Sequence, residues 1–173
     1  MGDPRKQRRK YSRPSHPWKA DRILEENELQ EKYGLKNKKE IWRARSEIGR
    51  YREIARKYLA SPEEEGSASE IKKTLEKLNK QGILKSEKIE DILSLTVESL
   101  LERRLQTIVY SKGLANTPKQ ARQLVVHRHV LLGDRVVDIP RFIVPAGEEE
   151  KLTISKNIAI EHGQRKEEES KTD

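Results

Sequence analysis

Residues 103–154 read RRLQTIVYSKGLANTPKQARQLVVHRHVLLGDRVVDIPRFIVPAGEEEKLTI, and the period of their apolar side chains changes partway along. Arg104, Leu105, Ile108 and Val109 continue the three-and-four spacing of Val97, Leu100 and Leu101, which predicts one helix from a cap at Thr96 to Gly113. Thr117-Pro118-Lys119-Gln120 then supplies a capping hydroxyl, a proline at the first helical position and a glutamine at the third. The helix it starts carries Ala121, Leu124 and Val125 on one face. Lys119, Gln123 and His127 share another face at four-residue spacing, with Arg122 beside them. From Val130 the chain reads as strand: Val130-Leu131-Leu132, a Gly133-Asp134 turn and Arg135-Val136-Val137 make a hairpin. Asp138-Ile139-Pro140 leaves it, Phe142-Ile143-Val144-Pro145 follows, and Lys151-Leu152-Thr153-Ile154 is a final strand after a turn at Gly147. The predicted unit is two helices packed on a short antiparallel sheet, which with the helical part before it gives an α+β chain.

Upstream, Ile41, Ala44, Ile48, Tyr51, Ala55 and Tyr58 form one apolar stripe of a long helix beginning near Asn37. Its other faces carry Arg43, Arg45, Arg50, Arg52, Arg56 and Lys57; with Lys36, Lys38 and Lys39 these are nine cations against three glutamates, more than solvation alone needs. Ser61, Pro62, three glutamates and Gly66 break the pattern. Ser67 with Glu70 reads as a capping box ahead of Ile71, Leu75 and Leu78, Gly82 closes that helix, and Ser86 opens a further segment through Ile89, Ile92 and Leu93. The expected organisation is a basic, partly extended arm over 1–36, a helical subdomain over 37–102, the α+β unit over 103–160 and an acidic disordered tail over 161–173.

The chain has 173 residues, 38% of them charged and only 33% hydrophobic, with a formal net charge of +8. By segment, residues 1–60 carry +9, residues 61–99 carry −3, residues 100–145 carry +5 and residues 146–173 carry −3. Two basic blocks flanking an acidic spacer point to nucleic acid as the partner. The arm gathers Arg5, Lys6, Arg8, Arg9, Lys10 and Arg13, with Tyr11 and Trp18 interleaved. Such a segment is either a solvated tail or an arm that orders on RNA, its guanidinium groups on phosphates and its aromatics on bases. No run of apolar residues is long enough to span a membrane, and the basic start is followed by no apolar stretch of a secretory signal. There is no cysteine, hence no disulfide and no thiolate zinc site, and no Walker loop, dinucleotide fingerprint or nucleophile elbow. His127 and His129 have a spacing a metal could use, but no carboxylate set completes a site. No catalytic residue, metal, cofactor or small-molecule substrate is expected.

Arg103-Arg104-Leu105, Lys112-Gly113-Leu114-Ala115, the run from Ala121 to Val130 containing His127-Arg128-His129, and Ile139-Pro140 resemble the S4 RNA-binding domain, in order and over about 50 residues. With the basic arm ending in Arg13-Pro14-Ser15-His16-Pro17-Trp18 and the acidic tail, nearly the whole chain resembles the archaeal form of the S4 family of small-subunit ribosomal proteins. That resemblance implies a primary binder of 16S ribosomal RNA in the cytoplasm, one that helps nucleate the body of the small subunit, lies beside the S5 protein and influences decoding accuracy. It also implies RNA contacts from Arg103, Arg104, Lys112, Lys119, Arg122, Gln123, His127, Arg128 and His129, with Arg135 a weaker candidate. The charge pattern adds the arm cations, Trp18, Arg43, Arg45, Arg50 and Arg52. Arg128 stands where many bacterial members of the family have glycine.

Bland readings stand beside these. Arg122 could hold the fold together through a local acidic partner, and His127 and His129 could be structural. An S4-type domain is also appended to RNA-modifying enzymes such as pseudouridine synthases, but the residues before Arg103 carry no catalytic signature of that kind. Stand-alone ribosome-rescue factors tend to be shorter, and no helix pairs a basic face with the aromatic–leucine face of a membrane-surface protein.

Overall fold

The protein was analysed as a computed structural model that describes residues 9–61, 65–84 and 88–155. Arg5, Lys6 and Arg8 of the arm, Ser86 and the acidic tail lie outside the described residues. Helix α1 spans Ala20–Lys32, α2 Lys38–Ala60, α3 Glu65–Lys80, α4 Ile89–Ser94, α5 Val97–Glu102, α6 Leu105–Ser111 and α7 Pro118–Val126. Strands β1 (Val130–Leu132), β2 (Arg135–Val136) and β3 (Leu152–Ile154) form an antiparallel sheet in the order β2-β1-β3, with Leu131 opposite both Val136 and Thr153. A 3-10 turn over Ala146–Lys151 leads into β3.

The α2 stripe is buried as its spacing requires: Ile41, Ala44, Ile48, Tyr51 and Ala55 all face inward. Around it α1, α3, α4 and α5 close a first core that includes Tyr33, Leu35, Ile71, Leu78, Ile92, Leu95, Leu100 and Leu101. A second core joins α6 and α7 to the sheet through Leu105, Ile108, Val109, Ala121, Leu124, Val125, Val130, Val144 and Leu152. Burial of these side chains from water is the main favourable term in both.

Three elements differ from the expectation. Residues 20–32, read as part of a basic, partly extended arm, form the helix α1, which turns into the first core through Tyr33 and Leu35. Ser67 is not a cap: α3 begins at Glu65, so Ser67 lies buried in its first turn. The single helix expected from Thr96 to Gly113 is two. Thr96 does cap α5, its hydroxyl accepting from Ser99 N–H, but Arg104 is extended at φ −74°, ψ 143°. That extension lets Arg104 bridge to Ile143, while Leu105 N–H donates to the Phe142 carbonyl at 2.7 Å and Val144 N–H to the Arg103 carbonyl at 3.2 Å. The helix is interrupted because its backbone pairs with the 142–144 segment. The interruption also marks where the chain changes core, since Leu101 belongs to the first and Leu105 to the second.

Candidate nucleic-acid interface

Four of the arginines marked by sequence are spent within the protein. Arg103 donates from Nε to the Gln81 carbonyl and from Nη2 to the Val144 carbonyl, both at 2.8 Å, and pairs with Glu149. It lies against Gly82 (φ +65°), where an added Cβ would come within 3.1 Å of the guanidinium carbon. Arg104 is buried, with Nη1 3.0 Å from Glu40 Oε2. Burial pulls its guanidinium below the ordinary arginine range and Arg122 pushes the same way, while Glu40 acts to hold it charged. Arg122 reaches Glu40 Oε1 at 2.8 Å and Gln106 Oε1 at 3.2 Å. The acidic partner of Arg122 is therefore not local but 82 positions away on α2. Arg52 likewise donates to the Leu95 carbonyl, and Lys112 donates to the Glu149 carbonyl. These side chains brace the two cores and their loops.

Gln106 completes the seam. Its buried amide nitrogen donates to the Tyr33, Gly34 and Pro118 carbonyls at 3.0, 2.9 and 2.9 Å. Two donor hydrogens shared over three carbonyls fix the α1–α2 corner onto the start of α7. Gly34, at φ +59°, permits that approach, because an added Cβ would lie 2.8 Å from the Pro118 carbonyl carbon.

The outward set is different. Lys119, Gln123 and His127 are exposed along α7, whose start is set by Thr117 Oγ1 accepting from Gln120 N–H at 3.1 Å. Arg128 follows at φ +63°, the only non-glycine residue with positive φ among those described. Its exposed side chain pairs with exposed Asp138 at 3.3 Å, a weak interaction in water. The His127 and His129 rings lie roughly parallel with centroids 6.3 Å apart, and Arg135 is exposed on β2. Among the described residues no group of three His, Asp or Glu side chains could hold a metal ion, and no helix is long and apolar enough to cross a membrane.

The described part of the arm lies on α2. Tyr11 sits between Arg9 and Arg43, at 5.5 and 5.7 Å from its ring centre, with the Trp42 ring 6.2 Å away. Ser12 N–H donates to Ser46 Oγ at 3.0 Å. Trp42 Nε1 in turn donates to the buried Glu26 of α1. The arm thereby walls a cleft of about 520 Å³ lined by Arg9, Lys10, Tyr11, Arg43, Arg122 and Arg141, with Glu40, Ile139 and Pro140. A second cleft of about 310 Å³ shares Lys10, Glu40, Arg43 and Arg141 and continues to Arg50. Arg13 and Arg45 line a third, and Trp18 is 89% exposed. Sequence reasoning missed Arg141, a single cation in irregular backbone, and Glu40, one acid among many bases.

Two short helices on a three-stranded antiparallel sheet, with a cationic helix face, are the fold and surface of an S4 domain, and the S4 domain family matches residues 103–149. Over a longer span the chain is 52% identical to small ribosomal subunit protein uS4 of Methanothermobacter thermautotrophicus, across 88% of this chain and 89% of that one. It is 45% identical to the uS4 protein of Methanococcus aeolicus (91% and 89%) and 53% identical to that of Saccharolobus islandicus (86% and 83%). The chain belongs to the uS4 family of small ribosomal subunit proteins. These relatives are named as ribosomal proteins and not as enzymes.

Proposed function

We propose that the chain is a primary binder of 16S ribosomal RNA that helps nucleate assembly of the small-subunit body and contributes to translational accuracy, in the cytoplasm, with the S5 protein as a neighbour. The observation that carries RNA binding is the division of the cations. Arg103, Arg104 and Arg122 are given to protein acceptors, whereas Lys119, Gln123, His127 and Arg135 are exposed at the surface of the S4 domain, Arg128 there meets only the exposed Asp138, and Arg43, Arg45 and Arg50 are exposed on α2. Clustered exposed cations are stabilised by phosphate, and Gln and His side chains can reach 2′-hydroxyls. The resemblance to the family over nearly the whole chain supports the assembly role and the S5 neighbour. The arm, the helical unit and the S4 unit act together, because the Glu40 seam joins the two cores and the arm lies along α2.

Crosslinking the native protein in cell lysate, then sequencing the bound RNA and locating the protein on a sucrose gradient, tests this. Small-subunit rRNA in the small-subunit fractions is expected; recovery chiefly with free tRNA, away from those fractions, overturns it.

A further inference from the structure

We infer that the cleft walled by the arm accepts one extruded nucleotide of an unpaired RNA strand, with its phosphate among Lys10, Arg43 and Arg141 and its base against Tyr11, Ile139 and Pro140. The inference rests on the RNA-binding reading above and names the kind of RNA this part of the surface takes.

The charge points to an anion. Arg9, Lys10, Arg43 and Arg141 converge on the cleft, and none of them pairs with a carboxylate of the described residues. Glu40, the acidic lining residue, is already compensated: Oε1 lies 2.8 Å from Arg122 and Oε2 lies 3.0 Å from Arg104. Gathering uncompensated cations costs free energy that a phosphate returns.

The walls point to a base. Ile139 is 50% exposed beside Pro140, an apolar step in an otherwise cationic rim, and Tyr11 lines the same space. Aromatic and apolar faces hold unstacked bases, which is how proteins read RNA that is not paired.

The size matches one nucleotide. A cleft of about 520 Å³ suits a ligand of nucleotide dimensions. The adjoining cleft toward Arg50 shares four of its lining residues, and so gives the strand a continuous exit.

The test uses the full chain and three labelled probes of equal length: a uridine oligomer, the same backbone without bases, and a hairpin duplex. The uridine oligomer is expected to bind about tenfold more tightly than the baseless backbone. The Arg43→Gln/Arg141→Gln variant changes two exposed side chains. It should erase that preference and lower the salt slope for the oligomer by about 1.4, two phosphate contacts at about 0.7 each for a single strand. Equal binding of oligomer and baseless backbone, or an unchanged slope in the folded variant, overturns the inference. Wild-type protein crosslinked to a 4-thiouridine oligomer gives a check that needs no variant: adducts should fall in residues 9–13 and 139–141, and adducts confined elsewhere overturn it. If the wild type binds a transcript of small-subunit rRNA but fails these tests, only the nucleotide cleft is lost. If it binds neither transcript nor oligomer, the RNA-binding reading falls as well.

Discussion

Glu40 Oε2 lies 3.0 Å from Arg104 Nη1, although the two residues are 64 positions apart, and the other oxygen of the same carboxylate takes Arg122. One side chain of α2 thus holds two arginines of the S4 domain, Arg104 buried and Arg122 at the edge of the cleft.

Removing the acid should therefore unfold more than it frees. Glu40→Ala leaves Arg104 buried without its counter-charge, and a loss of about 3 kcal/mol is expected. Urea titration measures it. The double variant Glu40→Ala/Arg122→Ala should lose less than the sum of the two single changes, because both remove the same contact. Strict additivity would show that the pair does not couple.

Gly34→Ala asks a β-carbon to occupy space held by the Pro118 backbone, at a φ of +59°. Backbone strain and the clash together should cost about 2 kcal/mol or more, seen as a fall in Tm. Gly49→Ala, in α2 with open space around the added carbon, is the control and should be neutral or stabilising.

Arg128 holds a left-handed backbone that glycine adopts without penalty. Arg128→Gly is expected to stabilise the fold by about 1 kcal/mol and to weaken rRNA binding, because it relieves strain and removes a phosphate-seeking cation. Calorimetry and filter binding should move in opposite directions. If both fall together, the arginine is there for the fold.

Tyr51 gives a pH signature. Burial pushes its phenol above the usual tyrosine value, and its hydroxyl donates to Glu47 and accepts from Lys77. A raised folded value means that the stability is fully present below the unfolded value of about 10 and is lost as pH rises from there through the higher folded value. Urea midpoints should drop above about pH 10, more steeply in the wild type than in Tyr51→Phe. Tyr33, also raised by burial, leaves a residual slope in the variant.

Much of this architecture was legible because it depends on local period and local chemistry. The α2 stripe, the Thr117-Pro118 helix start and the Gly133-Asp134 hairpin each follow from residues within a few positions of one another. The helix break at Arg103-Arg104 was not legible, since the apolar spacing runs through it unbroken; Leu101 and Leu105 keep register while serving different cores. Helix α1 was masked by the arm's polarity, and its most buried residue is a glutamate, Glu26, that no hydrophobic pattern would mark. The site divides in the same way. An arginine's spacing says which helix face it occupies, not whether a glutamate 82 residues away will claim it.

That separation along the chain has a consequence for synthesis. At roughly 5–20 residues per second, Glu40 leaves the peptidyl-transferase centre about 4–16 s before Arg122 is added. Until Arg104 is added, 64 positions after Glu40, the nascent α2 presents an acid with neither of its eventual partners, and the carbonyls of Tyr33 and Gly34 await the Gln106 amide that follows it. The seam is therefore a late step of folding: the amino-terminal helices can assemble early, but they are locked to the rest only when the S4 domain has emerged.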